Sequence, residues 1–96
     1  MKDNPNLLKK AAALKYIHTE DRAPKVIAKG RGAVAEKIVN IAKKSGIPLK
    51  EDRDLVEILS ALDLYQEIPP ELYRAVVEVL KFVYTISKKN MPIVKT

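Results

Sequence analysis

The chain has 96 residues, no cysteine, a hydrophobic fraction of 47% and a net charge of +6 from 18 Lys or Arg and 12 Asp or Glu. This length suits one domain with a small core, and the hydrophobic fraction excludes a chain that is disordered throughout. The lack of cysteine excludes disulfides and thiolate metal sites. No apolar run approaches the ~20 residues that span a bilayer, and the N-terminus has no signal-peptide core. We therefore expect a single cytoplasmic domain over residues 1–96, with an ordered core from about residue 11 to residue 88.

Two strands are predicted in the first third of the chain. The alternation of apolar and polar residues before His18 predicts a strand over residues 12–17. After Pro24, the run Val26-Ile27-Ala28 is apolar on both faces, which is typical of a central strand covered on both sides. A positive φ or close packing is expected at one of Gly30 and Gly32, where the strand leads into a helix.

The middle of the chain predicts a helix, a short strand and a second helix. The first helix covers residues 33–45 and ends at Gly46, a suitable residue for a helix C-terminus. Its apolar stripe is expected to consist of Val34, Ile38, Ile41 and Ala42. Residues 47–50 form a short strand, in which Pro48 favours an edge or strand-start position. The second helix is capped by Asp52 or Asp54 and ends near Asp63.

The last helix is predicted from Pro70 to Lys88. It is apolar over more than half its circumference, which predicts burial on more than one side. The sequence Asn90-Met91-Pro92 is expected to end the ordered chain, so that the last residues extend into solvent. The elements together predict an α/β fold, a small mixed sheet of three to four strands packed against three to four helices. The strand–helix–strand unit from residue 25 to residue 50 predicts a right-handed parallel crossover.

The residues that could carry chemistry predict no catalytic, metal or cofactor site. His18 is the single histidine, and it stands in a polar loop. The glycines of Gly30-Arg31-Gly32 suggest a phosphate loop, but the acidic residue of a dinucleotide site and the Lys-Ser/Thr pair of a P-loop are absent. The lysines occur in scattered pairs, and the aromatic residues lie mostly in apolar stripes. Both observations count against nucleic-acid binding. A non-enzymatic protein-binding domain is therefore preferred, and a basic nucleic-acid-binding domain is the alternative.

Several segments in the same order and spacing carry a resemblance to a known family. They are Ala-Leu-Lys-Tyr (13–16), Arg-Ala-Pro-Lys-Val-Ile-Ala-Lys-Gly (22–30), Ile-Pro (47–48), Gln-Glu-Ile-Pro (66–69), Glu-Leu-Tyr-Arg-Ala-Val (71–76) and Glu-Val-Leu (78–80). They resemble the C-terminal cytoplasmic domain of the FlhB/YscU family, the switch proteins of the flagellar and type III export apparatus. The pattern is similar to small stand-alone relatives that lack the membrane part of that family.

The resemblance implies that members cleave themselves at an Asn-Pro-Thr-His motif, by cyclisation of the asparagine. The matching positions here are Asn6, Leu7, Leu8 and Lys9, so only the asparagine remains. Asn4-Pro5 is two residues out of register. We therefore predict no self-cleavage. A further departure is Tyr65, where relatives usually have glycine, so the local turn is expected to differ.

The resemblance also implies a partner and a site. The partners are export substrates or export-gate proteins of the flagellar or type III apparatus, reached in the cytoplasm or at the periphery of the membrane export gate. No metal, nucleic acid or transmembrane segment is expected. Family members use a hydrophobic depression near an Ala-Pro pair and the last helix, and the matching positions here are Ala23, Pro24, Val77 and Leu80. Ordinary core packing is the alternative role for these four residues.

Overall fold

A computed structural model describes residues 9–16, 22–86 and 92–96. In chain order its elements are β1 (Lys10–Lys15), β2 (Lys25–Arg31), α1 (Ala33–Lys44), β3 (Leu49–Glu51), α2 (Arg53–Ser60), a 3-10 turn (Pro70–Leu72), α3 (Tyr73–Ile86) and β4 (Ile93–Lys95). The predicted α/β class is confirmed, with a four-stranded mixed sheet and three helices in the described part of the chain. The loop that contains His18 lies outside the described residues.

The sheet has the strand order β2-β1-β4-β3. β1 pairs antiparallel with β2 and with β4, whereas β3 pairs parallel with β4. The prediction that Val26-Ile27-Ala28 forms a central strand is wrong, because β2 lies at the edge of the sheet. The edge position that Pro48 suggested for β3 is confirmed. β2 and β3 run in the same direction, but β1 and β4 separate them, so the crossover skips the two central strands.

The C-terminal residues form a central strand rather than a solvated tail. Ile93 and Val94 are 4% and 0% exposed, and Pro92 is also buried. β4 fills the gap between β1 and β3, where both of its edges find backbone hydrogen bonds. The prediction that these residues extend into solvent is therefore wrong. Three residues are too short to show a strand period, so their burial follows from the gap between the two strands.

Two apolar clusters lie on opposite faces of the sheet, as the strand period of two requires. Alternate residues of β1 point to the two sides, with Leu14 on one face and Ala13 on the other. The face under α2 and α3 holds the larger cluster, formed by Ala12, Leu14, Val26, Leu55, Val56, Leu59, Ile68, Val76, Val79 and Val94. The face under α1 holds the smaller cluster, formed by Ala11, Ala13, Ala35, Ala42 and Ile93.

The buried stripe of α1 is rotated from the predicted one. Val34 and Ile41 are 55% and 52% exposed, so two of the four predicted positions face solvent. The buried line runs instead through Ala35 and Ala42, flanked by half-buried Ile38 and Val39. The strand beneath the helix presents alanines, so small residues allow the helix to lie close to the sheet and become its buried face.

Gly30, near the end of β2, and Gly32, just before α1, have the two roles that the sequence predicted as alternatives. Gly32 adopts φ +64° as the residue that precedes α1. A Cβ at Gly30 would lie 2.3 Å from Val34 Cγ1, a distance that real side chains do not tolerate. Gly46 has φ +67° just after α1, which confirms the predicted helix end.

Asp52 is the residue that caps α2, because its carboxylate accepts a 3.0 Å hydrogen bond from the backbone N–H of Leu55. Replacing Asp52 by alanine is expected to lower the free energy of unfolding by about 1 kcal/mol. The matched control is Asp54→Ala, which removes an exposed first-turn carboxylate and is expected to cost about 0.3–0.5 kcal/mol. Urea unfolding of both variants measures the difference. Equal losses for the two variants would contradict the assignment of the cap.

Candidate docking site

α3 is buried on one side and carries exposed apolar residues beside that side. Val76 and Val79 face the core at 0% and 2% exposure. Tyr73 and Val77, one turn apart, are 42% and 43% exposed, and Leu80 is half-buried against the core. The prediction that this helix is buried on more than one side is thus wrong for its described side chains. An apolar ridge of Tyr73, Val77 and Leu80 borders the buried face.

Ala23 and Pro24 are buried, so neither is exposed at the site that the resemblance implied. The reason is the connection between α2 and α3, which runs along the outer edge of β2. The backbone N–H of Ile68 donates to the Pro24 carbonyl at 2.8 Å, and that of Tyr65 donates to the Val26 carbonyl at 2.7 Å. The free edge of β2 is therefore covered at its first residues.

Ile68 links the two halves of the predicted site. It is hydrogen-bonded to Pro24, and its side chain lies in the same core cluster as Val76 and Val79, against which Leu80 packs. Of the four predicted residues, Val77 is exposed, Leu80 is half-buried, and the Ala23–Pro24 pair lies beneath the connection that leads into α3. The pair is thus buried and forms no part of the exposed surface.

The sequence prediction missed two exposed apolar residues on this connection. Leu64 and Tyr65 are 48% and 69% exposed, in the segment that pairs with the start of β2. Large apolar side chains between Asp63 and Gln66 in a polar turn were the available signal. We use the term docking surface for five apolar residues of the connection and of α3, namely the exposed Leu64, Tyr65, Tyr73 and Val77 and the half-buried Leu80.

Tyr65 adopts φ +65°, the conformation that glycine tolerates best. The backbone of this turn is thus in the left-handed region at residue 65, although the residue is a tyrosine and not a glycine. Because the ring is mostly exposed, Tyr65→Gly removes little packing and relieves a strain of about 1–2 kcal/mol, offset in part by the greater freedom of glycine in the unfolded chain. We expect a net gain of about 0.5–1 kcal/mol in thermal or urea unfolding. A variant that is less stable than the parent would contradict this account of the turn.

The basic side chains are interleaved with carboxylates. Three ion pairs hold lysines that border the ends of the sheet, Lys9–Glu36 at 4.0 Å, Lys10–Glu57 at 2.7 Å and Lys95–Glu51 at 3.5 Å. Lys29 donates instead to the carbonyls of Ser60 and Leu62 at the end of α2. These four lysines therefore each have a carboxylate or a backbone carbonyl as a partner within the domain.

The Gly30-Arg31-Gly32 segment borders an open depression of about 540 Å³. Its other walls include Lys10 and Lys29, the first paired with Glu57 and the second bound to the end of α2.

Among residues 9–16, 22–86 and 92–96, no group of three His, Cys, Asp or Glu side chains is arranged to hold a metal ion. Asn6, the residue that matches the cleavage asparagine, lies outside the described residues.

The family model described as the FlhB HrpN YscU SpaS family matches residues 4–83. The chain belongs to the FlhB/YscU family. The resemblance drawn from the sequence is thereby confirmed, and it associates the chain with flagellar and type III protein export. β4 lies beyond the matched residues.

Relatives of two lengths share this FlhB/YscU domain. YlqH of Bacillus subtilis (strain 168) is 44% identical over 84% of this chain and 87% of its own length. FlhB of Aquifex aeolicus (strain VF5) is 42% identical over 82% of this chain but only 23% of its own length. The crystal structure of the PscU C-terminal domain aligns with a TM-score of 0.72 and 31% identity, covering 77% of this chain and 95% of that one. The chain therefore corresponds to less than a quarter of the long FlhB relative.

None of the helices described for this FlhB/YscU-family chain has the length and apolar character needed to traverse a bilayer. The residues of the docking surface lie in a small α/β domain that is similar to the C-terminal domain of PscU.

Proposed function

We propose that this chain is a non-enzymatic, cytoplasmic component or accessory of flagellar or type III protein export that binds export substrates or export-gate proteins through the docking surface. The observation that carries the proposal is the pair Tyr73 and Val77, exposed one turn apart on α3 beside the buried side chains of Val76 and Val79. Family membership supports the export role, and the exposed apolar ridge supports binding of another protein.

The position of the buried pair supports this site as well. The Pro24 carbonyl, next to buried Ala23, accepts a hydrogen bond from Ile68 on the connection that carries Leu64 and Tyr65 and that leads into α3. A rigid base beneath an exposed apolar ridge reduces the entropy lost on binding. In this proposal the pair positions the surface, whereas Val77 and Leu80 contact the partner.

An accessory role beside a longer protein has support from one organism. Bacillus subtilis (strain 168) has both YlqH, which the chain matches over 87% of its length, and an FlhB of which the chain matches 22%. A short relative beside a long one suits a separate binding domain that works alongside the export apparatus, at the periphery of its membrane gate.

A pull-down with the immobilised full chain tests the proposed function. Purified hook, rod and filament export substrates and the soluble domains of export-gate proteins are offered one at a time, with a cytoplasmic protein of similar charge as control. We expect retention of at least one export protein above that control, at an ionic strength that removes binding through lysines. Retention of none of these export proteins above the control protein would contradict the proposal.

The absence of self-cleavage is a separate expectation. Asn6 lacks the proline, threonine and histidine that follow the cleavage asparagine in the family, so nothing in the sequence favours the turn in which its amide reaches its own carbonyl. Mass spectrometry of the purified chain after prolonged incubation at neutral pH is expected to show one intact mass. Two fragments separated after Asn6 would contradict this prediction.

A further inference from the structure

β4 is the last strand of the chain and yet lies inside the sheet, between β1 and β3. Residues 87–91 connect it to α3, and the residues that match the family model end before it, at 83. The matched part of the domain therefore leaves a slot between β1 and β3, which this chain fills with its own C-terminal segment.

Backbone hydrogen bonds hold this segment on both sides. In addition to the bonds of the strand ladders, four bonds run from Leu14 N–H to the Pro92 carbonyl at 3.0 Å, from Ile93 N–H to the Pro48 carbonyl at 2.9 Å, from Asp52 N–H to the Lys95 carbonyl at 2.8 Å and from Thr96 N–H to the Lys10 carbonyl at 3.1 Å. The slot thus offers main-chain partners to an extended segment along its whole length, as in peptide recognition by strand addition.

The side chains of the segment give the slot its specificity. Ile93 enters the cluster beneath α1, and Val94 enters the cluster beneath α2 and α3. Lys95 follows with its ammonium 3.5 Å from a Glu51 carboxylate oxygen. The slot therefore accepts two successive aliphatic residues, one for each face of the sheet, and then a basic residue.

We propose that the slot between β1 and β3 also binds β4 of a second copy of this chain, which gives a strand-exchanged dimer. The segment of a second copy has the same sequence, so it makes the same backbone and side-chain contacts as the chain's own segment. Which of the two occupies the slot depends on concentration, because a short linker gives the chain's own strand an effective concentration of about 1 mM. Exchange therefore appears when the chain is refolded near that concentration.

Two full-length variants with one cysteine each test this proposal, since the chain has no cysteine of its own. Glu51→Cys labels β3 and Lys95→Cys labels β4, at positions that are partners in the parallel register. The two variants are unfolded together, refolded at about 1 mM to match the effective concentration and treated with a short bismaleimide crosslinker. The control pair is Lys37→Cys with Lys95→Cys, because Lys37 is exposed on α1.

We expect a crosslinked heterodimer at several times the yield of the control pair, and a yield that falls when refolding is done at lower concentration. A double variant, Glu51→Cys with Lys95→Cys in one chain, checks the reach of the crosslinker, since it is expected to close within the monomer at low concentration. Closure of the double variant together with an inter-chain yield equal to the control pair at every concentration would overturn the proposal. A crosslinked product that does not depend on concentration during refolding would also overturn it.

Discussion

Replacing Val94 by aspartate is expected to remove most of the stability of the domain. Val94 is fully buried in the larger core cluster, and no charged side chain is buried in the described core to pair with a carboxylate there. The variant loses about 1.5–3 kcal/mol of apolar burial and places a carboxyl group without a partner in the core, so we expect a loss of at least about 4 kcal/mol. A domain of this size has about 5–15 kcal/mol in total. Circular dichroism during urea or thermal unfolding measures the loss.

Val77→Asp is the matched control, because it makes the same chemical change at a position that is 43% exposed. We expect this variant to unfold within about 1 kcal/mol of the parent, as exposed helix substitutions usually do. A Val94→Asp variant that unfolds at the same urea concentration as the parent would contradict the central position of β4.

Val77→Asp is expected to keep the fold but to weaken binding of an export protein at least tenfold, about 1.4 kcal/mol. The substitution removes an aliphatic contact from the apolar ridge of α3, and the new carboxylate loses water when a partner covers it. Isothermal titration calorimetry with a partner identified in the pull-down measures the change. Val77 suits this purpose better than Leu80, because Leu80 packs against the core and its replacement by aspartate also destabilises the domain.

Ala75→Asp is the control for charge. Ala75 is exposed on α3, and two residues of helix turn it by about 200° from Val77. The same negative charge on the far side of the helix is expected to leave the affinity within about twofold, since charges on exposed sites act weakly at physiological salt. Equal weakening by both variants would show that the net charge, and not the docking surface, controls binding.

Local signals in the sequence predicted the helix ends well. Gly46 ends α1, and Asp52 was one of two candidate caps for α2, because these residues act on backbone groups within one turn. The edge position of β3 followed from Pro48 in the same way. Such features depend on neighbours in sequence, which pattern reading can use.

Features that depend on distant pairing were predicted less well. β2 was expected in the centre, but its apolar run is covered by residues 65–68 on one side and by β1 on the other. Pro24 is buried by Ile68, more than forty positions away in the chain. The three residues of β4 lack a detectable period, so only the gap between β1 and β3 explains their burial.

In the candidate site, too, some features followed from the sequence and others depended on pairing between distant segments. The resemblance pointed to four residues, of which Val77 is exposed, whereas Ala23 and Pro24 are buried. Leu64 and Tyr65 were missed, since two apolar residues in a turn acquire meaning only when the turn is seen beside β2. The resemblance therefore proposed the region, and the structure shows which of its side chains are exposed.

Amide chemical-shift mapping of the full ¹⁵N-labelled chain, titrated with an export substrate, tests the account most directly. It reports on the docking surface in the intact fold and needs no substitution. We predict that the largest shift changes occur at Leu64, Tyr65, Tyr73, Val77 and Leu80. Changes confined to the exposed face of α1, around Val34 and Ile41, would contradict the account.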